Sequence, residues 1–117
     1  MTFDTVMAMS AEQVRVEIAR VNPKYSKFRL SWMTNELVGI IGDETKDGYG
    51  VEAIPDYCHS LVTTYELEER LSEEKKDVYV INLTNILGES HYLFKLLHAS
   101  ADARARAWLM TMGSEEE

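Results

Sequence analysis

The sequence is poor in the residues that staple or interrupt a fold. One cysteine, Cys58, stands among 117 residues, so no disulfide can close within the chain and a reducing, cytosolic setting is expected. Two prolines and six glycines leave no composition for a linker, and no internal repeat is present. No apolar run approaches the roughly 20 residues needed to cross a bilayer. The start, Met1-Thr2-Phe3-Asp4, lacks the basic and apolar segments of a signal peptide. Basic residues are scarce as well: 12 Lys and Arg against 20 Asp and Glu give a net charge of −8. A duplex binder needs a basic face that displaces counterions from phosphates, so direct binding to polymeric nucleic acid is not expected. Three of the acids are Glu115, Glu116 and Glu117; without them the balance is −5. A pocket with two positive groups can still hold one small anion in a chain of this charge.

What is present is a globular composition, 45% hydrophobic and 27% charged, long enough for one core and too short for two. The expectation is a single domain over residues 1–113, followed by an acidic tail at 114–117. Ser10-Ala11-Glu12-Gln13 fits a capping box, and Val14, Ile18 and Val21 follow at helical spacing until Asn22-Pro23 ends the helix. Phe28, Leu30 and Trp32 alternate with Arg29, Ser31 and Met33, the period of a half-buried strand. Leu37 to Ile41 reads as a second strand that pairs with the first as a hairpin. Gly42 to Gly50 reads as a loop, and Val51 to Ile54 as a short extended piece.

Ser60 is placed to cap a helix from Leu61 to about Leu71, and Ser72 to cap a further turn. Residues 77–87 carry two patterns. Val78, Val80, Asn82 and Thr84 alternate with Tyr79, Ile81, Leu83 and Asn85, and their β-branched content favours a strand. Tyr79, Leu83 and Ile86 also fit one face of a helix. Gly88-Glu89-Ser90 predicts a turn, His91 to Leu97 a strand, and Ser100 the cap of a last helix over Ala101 to Met112, with Gly113 at its C′ position. The order α-β-β-(β)-α-β-β-α predicts an α+β fold, an antiparallel sheet with three helices in a layered sandwich.

No nucleophile elbow, phosphate-binding loop, dinucleotide turn or zinc spacing occurs in the sequence. Cys58, His59, His91 and His98 match no metal-ligand spacing, and the carboxylate pairs at i, i+4 read as solvated helix faces. No catalytic residue, metal or cofactor is therefore expected. The last helix carries the more suggestive group. Arg104 and Arg106 diverge by roughly 200° about the axis, so one of them points along an apolar layer and needs an anionic partner. Two partners fit: a carboxylate of a neighbouring helix, Glu66 or Glu69, or a phosphate gripped bidentately. Tyr57, Tyr79, Tyr92, Phe94 and Trp108 would either pack in the core or stack a base, and Asn82 and Asn85 would read polar edges.

Two stretches carry a resemblance. Ile54-Pro55-Asp56-Tyr57-Cys58-His59-Ser60-Leu61, with the Glu-rich helix and the Leu71-Ser72-Glu73-Glu74 step after it, is similar to a family of small phage proteins grouped as α-β-α sandwich domains. The closing segment His98-Ala99-Ser100-Ala101-Asp102-Ala103-Arg104-Ala105-Arg106-Ala107-Trp108-Leu109 resembles that family's capped-helix motif. The likeness covers roughly residues 10–113, without a motif over 23–50; Ser60 stands where an acidic residue is common, and Arg106 falls at a variable position. The family's fold resembles that of the Thoeris anti-defence sponges. The resemblance implies a homo-oligomeric, non-enzymatic phage protein in the cytoplasm of an infected bacterium, sequestering a cyclic ADP-ribose isomer or a cyclic oligonucleotide. Arg104, at the motif's arginine, would hold phosphate; in the same reading Arg106 would assist, and Tyr57, Tyr79 and Asn85 would contact base or ribose. The acidic segment from Glu66 to Asp77, six acids against three bases, supports a rival from another class: a protein–protein inhibitor of a bacterial defence complex, of the anti-CRISPR or anti-restriction type.

Overall fold

Four serines set the helical frame. Ser10 closes a complete capping box: its Oγ accepts from the Gln13 amide at 3.1 Å, and Gln13 Oε1 accepts from the Ser10 amide at 2.8 Å. Ser60, Ser72 and Ser100 likewise accept from the amides of Thr63, Lys75 and Ala103. Each satisfies a donor that the first helical turn leaves unpaired. In the computed structural model, which describes residues 1–31, 33–43, 45–88 and 92–113, the elements run as follows. Helix α1 spans Phe3–Met7 and α2 spans Ala11–Val21. Strands β1 (Lys27–Leu30), β2 (Leu37–Ile41) and β3 (Gly50–Ala53) precede a 3-10 turn at Tyr57–His59. Helices α3 (Leu61–Glu69), α4 (Glu73–Leu87), α5 (Tyr92–Leu97) and α6 (Ala101–Gly113) complete the chain. Trp32 and His91, both placed in strands by their sequence pattern, lie outside the described residues, as do the acidic tail and the side chains of Tyr92 and Phe94.

The fold is α+β. The three strands form one antiparallel sheet in the order β1-β2-β3. Its register puts Phe28, Gly39 and Glu52 side by side across the sheet. Asn35 closes the β1–β2 hairpin with a φ of 58°, a left-handed conformation that asparagine tolerates better than most residues. The first strand is shorter than its alternation suggests, ending at Leu30. Among the helices only α2 packs substantially against this sheet, through β1, while α1, α2, α3, α4 and the 3-10 turn all pack on α6. That helix is the centre of the molecule. Ala101, Ala103, Ala105 and Ala107 are buried along with Trp108, Leu109 and Met110, and the alanines let neighbouring backbones approach closely.

Two expectations are corrected here. Residues 77–87 belong to α4, and Tyr92–Leu97, expected as strand, form α5, so the described residues hold six helices and no fourth strand. In α4, Tyr79 and Leu83 face the core four residues apart, and Asn82 Nδ2 donates to Thr111 Oγ1 of α6 at 3.1 Å. The β-branched Val78, Val80 and Ile81 point to solvent. Their strand propensity is worth tenths of a kilocalorie each and is overridden by burial of the helical stripe. Ser72 and the acids Glu73 and Glu74 in the first turn also favour the helix through its end charge. Gly88, at a φ of 86°, ends it. The other correction is at Gly113, which lies within α6 rather than beyond it.

Candidate functional site

Lys24 and Tyr25, just after α2, are brought against β3 because the α2 helix stops at Asn22 and the chain turns directly into β1. The Asn22 side chain holds that turn by accepting from the Lys24 amide at 3.1 Å. The Tyr25 ring then lies on Gly39 of β2, and its hydroxyl donates to Glu52 Oε1 across the sheet at 2.6 Å. Lys24 Nζ reaches the same Oε1, also at 2.6 Å. Glu52 Oε2 has no hydrogen-bond partner among the described residues.

These residues form one wall of a cleft of about 310 Å³, at the small end of the range for ligand sites. The opposite wall is α3, with Thr63, Glu66 and Arg70, and Tyr57 of the 3-10 turn closes the floor. Arg70 is exposed at the C-terminal cap of α3 and makes no hydrogen bond or ion pair among the described residues. Burial works to raise the Glu52 pKa, but hydrogen bonds from Lys24 and Tyr25 and the charges of Lys24 and Arg70 outweigh it, so the carboxyl ionises below its ordinary range. Burial foremost, with the bond to Glu52, holds the Tyr25 phenol far above its ordinary value. Burial also raises Tyr57, partly offset by hydrogen bonding to Tyr25 and Asn22. Both phenols stay protonated donors and Glu52 stays an anion across the physiological range.

Of the five residues expected from sequence to bind ligand, Tyr57 alone lines this cleft. Arg104 is fastened elsewhere: Nη1 meets both carboxylate oxygens of Glu68 at 3.1 and 3.0 Å, Nε donates to the Ala99 carbonyl and Nη2 to that of Leu96. Its guanidinium also stacks over the Tyr65 ring, 5.2 Å from the centroid. The carboxylate partner is thus Glu68, between the two acids the spacing suggested. Arg106 is 8% exposed; Nη1 donates to the carbonyls of Val6 and Met9 at 2.7 and 2.8 Å, and Nε to Asp102 at 3.0 Å. It ties α6 to the end of α1. Tyr79 is buried beside Glu68 and Arg104, its hydroxyl without a hydrogen-bond partner among the described residues. Asn85 is exposed on α4 and does not line the cleft. The arginine pair is therefore split between two structural clamps.

Lys24, Glu52 and Arg70 escaped sequence reading because each looks ordinary alone: a post-helix lysine, a strand acid and a helix-end arginine. The only local signal was the abrupt Asn22-Pro23 stop, which forces Lys24 and Tyr25 into place. A wider groove of about 580 Å³ runs between α2 and the β1–β2 hairpin. Its cation, Arg15, is committed through Nε and Nη2 to the Ile54 carbonyl at 2.9 and 2.6 Å.

Cys58 and His59, adjacent in the 3-10 turn, diverge. His59 turns outward to Asp56 Oδ2 at 2.8 Å, whereas Cys58 is buried. Burial first, then the Asp102 carboxylate that accepts from the thiol, pushes its pKa up to about 12. A protonated, buried thiol is a poor nucleophile. In the native protein at pH 8, Cys58 is expected to resist a disulfide-exchange reagent for as long as the fold persists, and to react fully once denaturant is added. Rapid labelling of the folded chain would contradict this burial. Among the described residues no group of three His, Cys, Asp or Glu side chains converges as a metal site. No described helix is long and apolar enough to cross a membrane. No protein-family model, no curated protein and no solved structure matches the chain, so its functional reading rests on its own cleft.

Proposed function

We propose that this chain is a non-catalytic phage protein that sequesters a small nucleotide signal, a cyclic ADP-ribose isomer or a cyclic oligonucleotide, in the cleft between β3 and α3. The observation that supports this reading is Arg70, a guanidinium that makes no hydrogen bond or ion pair among the described residues and stands beside a polar, phenol-lined cleft. Such a group binds phosphate oxygens in a planar fork. Arg70 takes the phosphate-holding role that the closing-helix motif implied for Arg104, and Tyr57 keeps its place in the site. A cavity of about 310 Å³ holds only part of a cyclic dinucleotide, so a second protomer completes the site in this reading.

Calorimetric titration with cyclic ADP-ribose isomers and cyclic di- and trinucleotides tests it. Binding heat is expected from one of them, and Arg70→Gln should weaken that binding by about tenfold or more, the cost of a charge-assisted hydrogen-bond pair. A folded sample that gives no heat with any of these ligands would end this reading.

The second reading, an acidic inhibitor that docks on a host defence complex, is favoured by Glu69, Glu73, Glu74 and Asp77, all exposed around the α3–α4 junction beside Val78 and Ile81. Its test is capture of a host complex that weakens with salt and is lost on charge reversal of Glu69 and Glu73. Glu68 is unsuitable for that reversal, because it holds Arg104.

A further inference from the structure

Arg70 and Glu52 offer opposite chemistries on facing walls of the cleft. The guanidinium of Arg70 has its donors unspent among the described residues. On Glu52, both Lys24 and Tyr25 converge on Oε1, leaving Oε2 as an open acceptor. A bare anion would satisfy Arg70 and be repelled by Glu52. A ligand that satisfies both must carry an anionic group together with hydroxyl or amine donors.

The aromatic residues narrow the class. Tyr25 is 7% exposed and Tyr57 2% exposed, and the Tyr25 ring is packed against Gly39 and Ile54. Neither presents a face on which a base could lie, and no other aromatic lines the cleft. Stacking is the sequence-tolerant grip that base-binding sites ordinarily use, and this cleft has no platform for it.

We propose that the cleft recognises the ribose phosphate portion of its ligand, with Arg70 on the phosphate and Glu52 Oε2 on the vicinal hydroxyls, and that it leaves the base unread. This rests on the reading of the cleft as a small-nucleotide site and specifies which part of the nucleotide is held. Glu52 accepts a hydroxyl proton donor as an ionised carboxylate, the stronger form of the bond. Lys24 stays paired with the other oxygen, so the ligand need not displace it.

Amide NMR titrations of the full chain with AMP, UMP, 2′-deoxy-AMP, ribose 5-phosphate and inorganic phosphate test the assignment. AMP, UMP and ribose 5-phosphate are expected to shift the amides around residues 24–25, 52–53 and 63–70, with affinities within about threefold of one another. Loss of one hydroxyl to a charged acceptor should weaken 2′-deoxy-AMP by about tenfold, and Glu52→Gln should erase that difference while the protein's spectrum stays folded. Arg70→Gln should weaken all the phosphorylated probes together. Equal binding of AMP and 2′-deoxy-AMP, equal binding of inorganic phosphate and AMP, or a tenfold preference between AMP and UMP would each overturn the proposal. If cyclic nucleotides bind while ribose 5-phosphate neither binds nor competes, this assignment falls and the sequestration reading stands. If ribose 5-phosphate binds and no cyclic nucleotide does, the reverse holds. Silence from every probe ends both.

Discussion

Arg106→Met is expected to lower the melting temperature by roughly 10 °C while leaving ligand affinity unchanged. The guanidinium is buried, and a single nitrogen, Nη1, donates to the carbonyls of Val6 and Met9 at the end of α1. Methionine fills much of the same volume, so the cavity cost is small. It cannot donate, however, and an orphaned or weakened buried carbonyl costs about 1–3 kcal/mol. Val6 O retains the Met9 amide at 3.2 Å, which keeps the total near 3 kcal/mol rather than double that, by the same measure. Asp102, half-exposed, loses its partner into water at little cost. Arg106→Lys should recover only part of the loss, because one ammonium cannot span both carbonyls and Asp102 in the guanidinium's fixed geometry. Thermal melts and the cleft titrations together decide the matter. A variant that melts with the parent chain but no longer binds ligand would return Arg106 to the assisting role in phosphate binding expected for it from sequence.

Gly39→Ala should be the most damaging single methyl in the sheet. A Cβ at this position would sit 2.6 Å from Tyr25 Cε1 and 2.8 Å from Ile54 Cδ1, with Tyr25 Cδ1 nearer still. Those atoms belong to buried groups that cannot swing into solvent. The Tyr25 ring is further fixed by its hydroxyl on Glu52. Overpacking of this kind costs about 1–3 kcal/mol, and displacement of Tyr25 adds the loss of a charge-assisted hydrogen bond of about 1.5–3 kcal/mol. Because Tyr25 and Glu52 line the cleft, ligand binding should fall together with stability. Gly50→Ala is the control. Its Cβ would meet Ile41 Cβ at 3.6 Å, an ordinary contact, so its unfolding midpoint in urea should stay close to that of the parent. If Gly39→Ala unfolds no earlier than Gly50→Ala, then Tyr25 is not held on Gly39 as described.

These two positions mark the boundary of what sequence reading reached. The helix starts at Ser10, Ser60, Ser72 and Ser100 were legible, because a cap and its amide lie three residues apart and need nothing else. The β1–β2 hairpin was legible for a similar reason, since its two strands are adjacent in sequence and their pairing follows from a short turn. The helix over 73–87 was not. Its exposed Val78, Val80 and Ile81 imitate a strand, and only packing of Tyr79 and Leu83 against α6 chooses between the two periods.

Charge shows the same division. The sequence alone determined that the chain is acidic, has one thiol, caps its own helices and places two arginines on its last helix. Only the tertiary structure decided what those arginines hold, because their partners lie 36 residues away at Glu68 and 100 residues away at Val6. It also decided that, among the described residues, Arg70 beside the cleft makes no hydrogen bond or ion pair and that Lys24 and Tyr25 both meet Glu52 at Oε1. A guanidinium carries no mark in sequence of whether its donors are spent. That depends on which carbonyls and carboxylates the packed core brings within 3 Å.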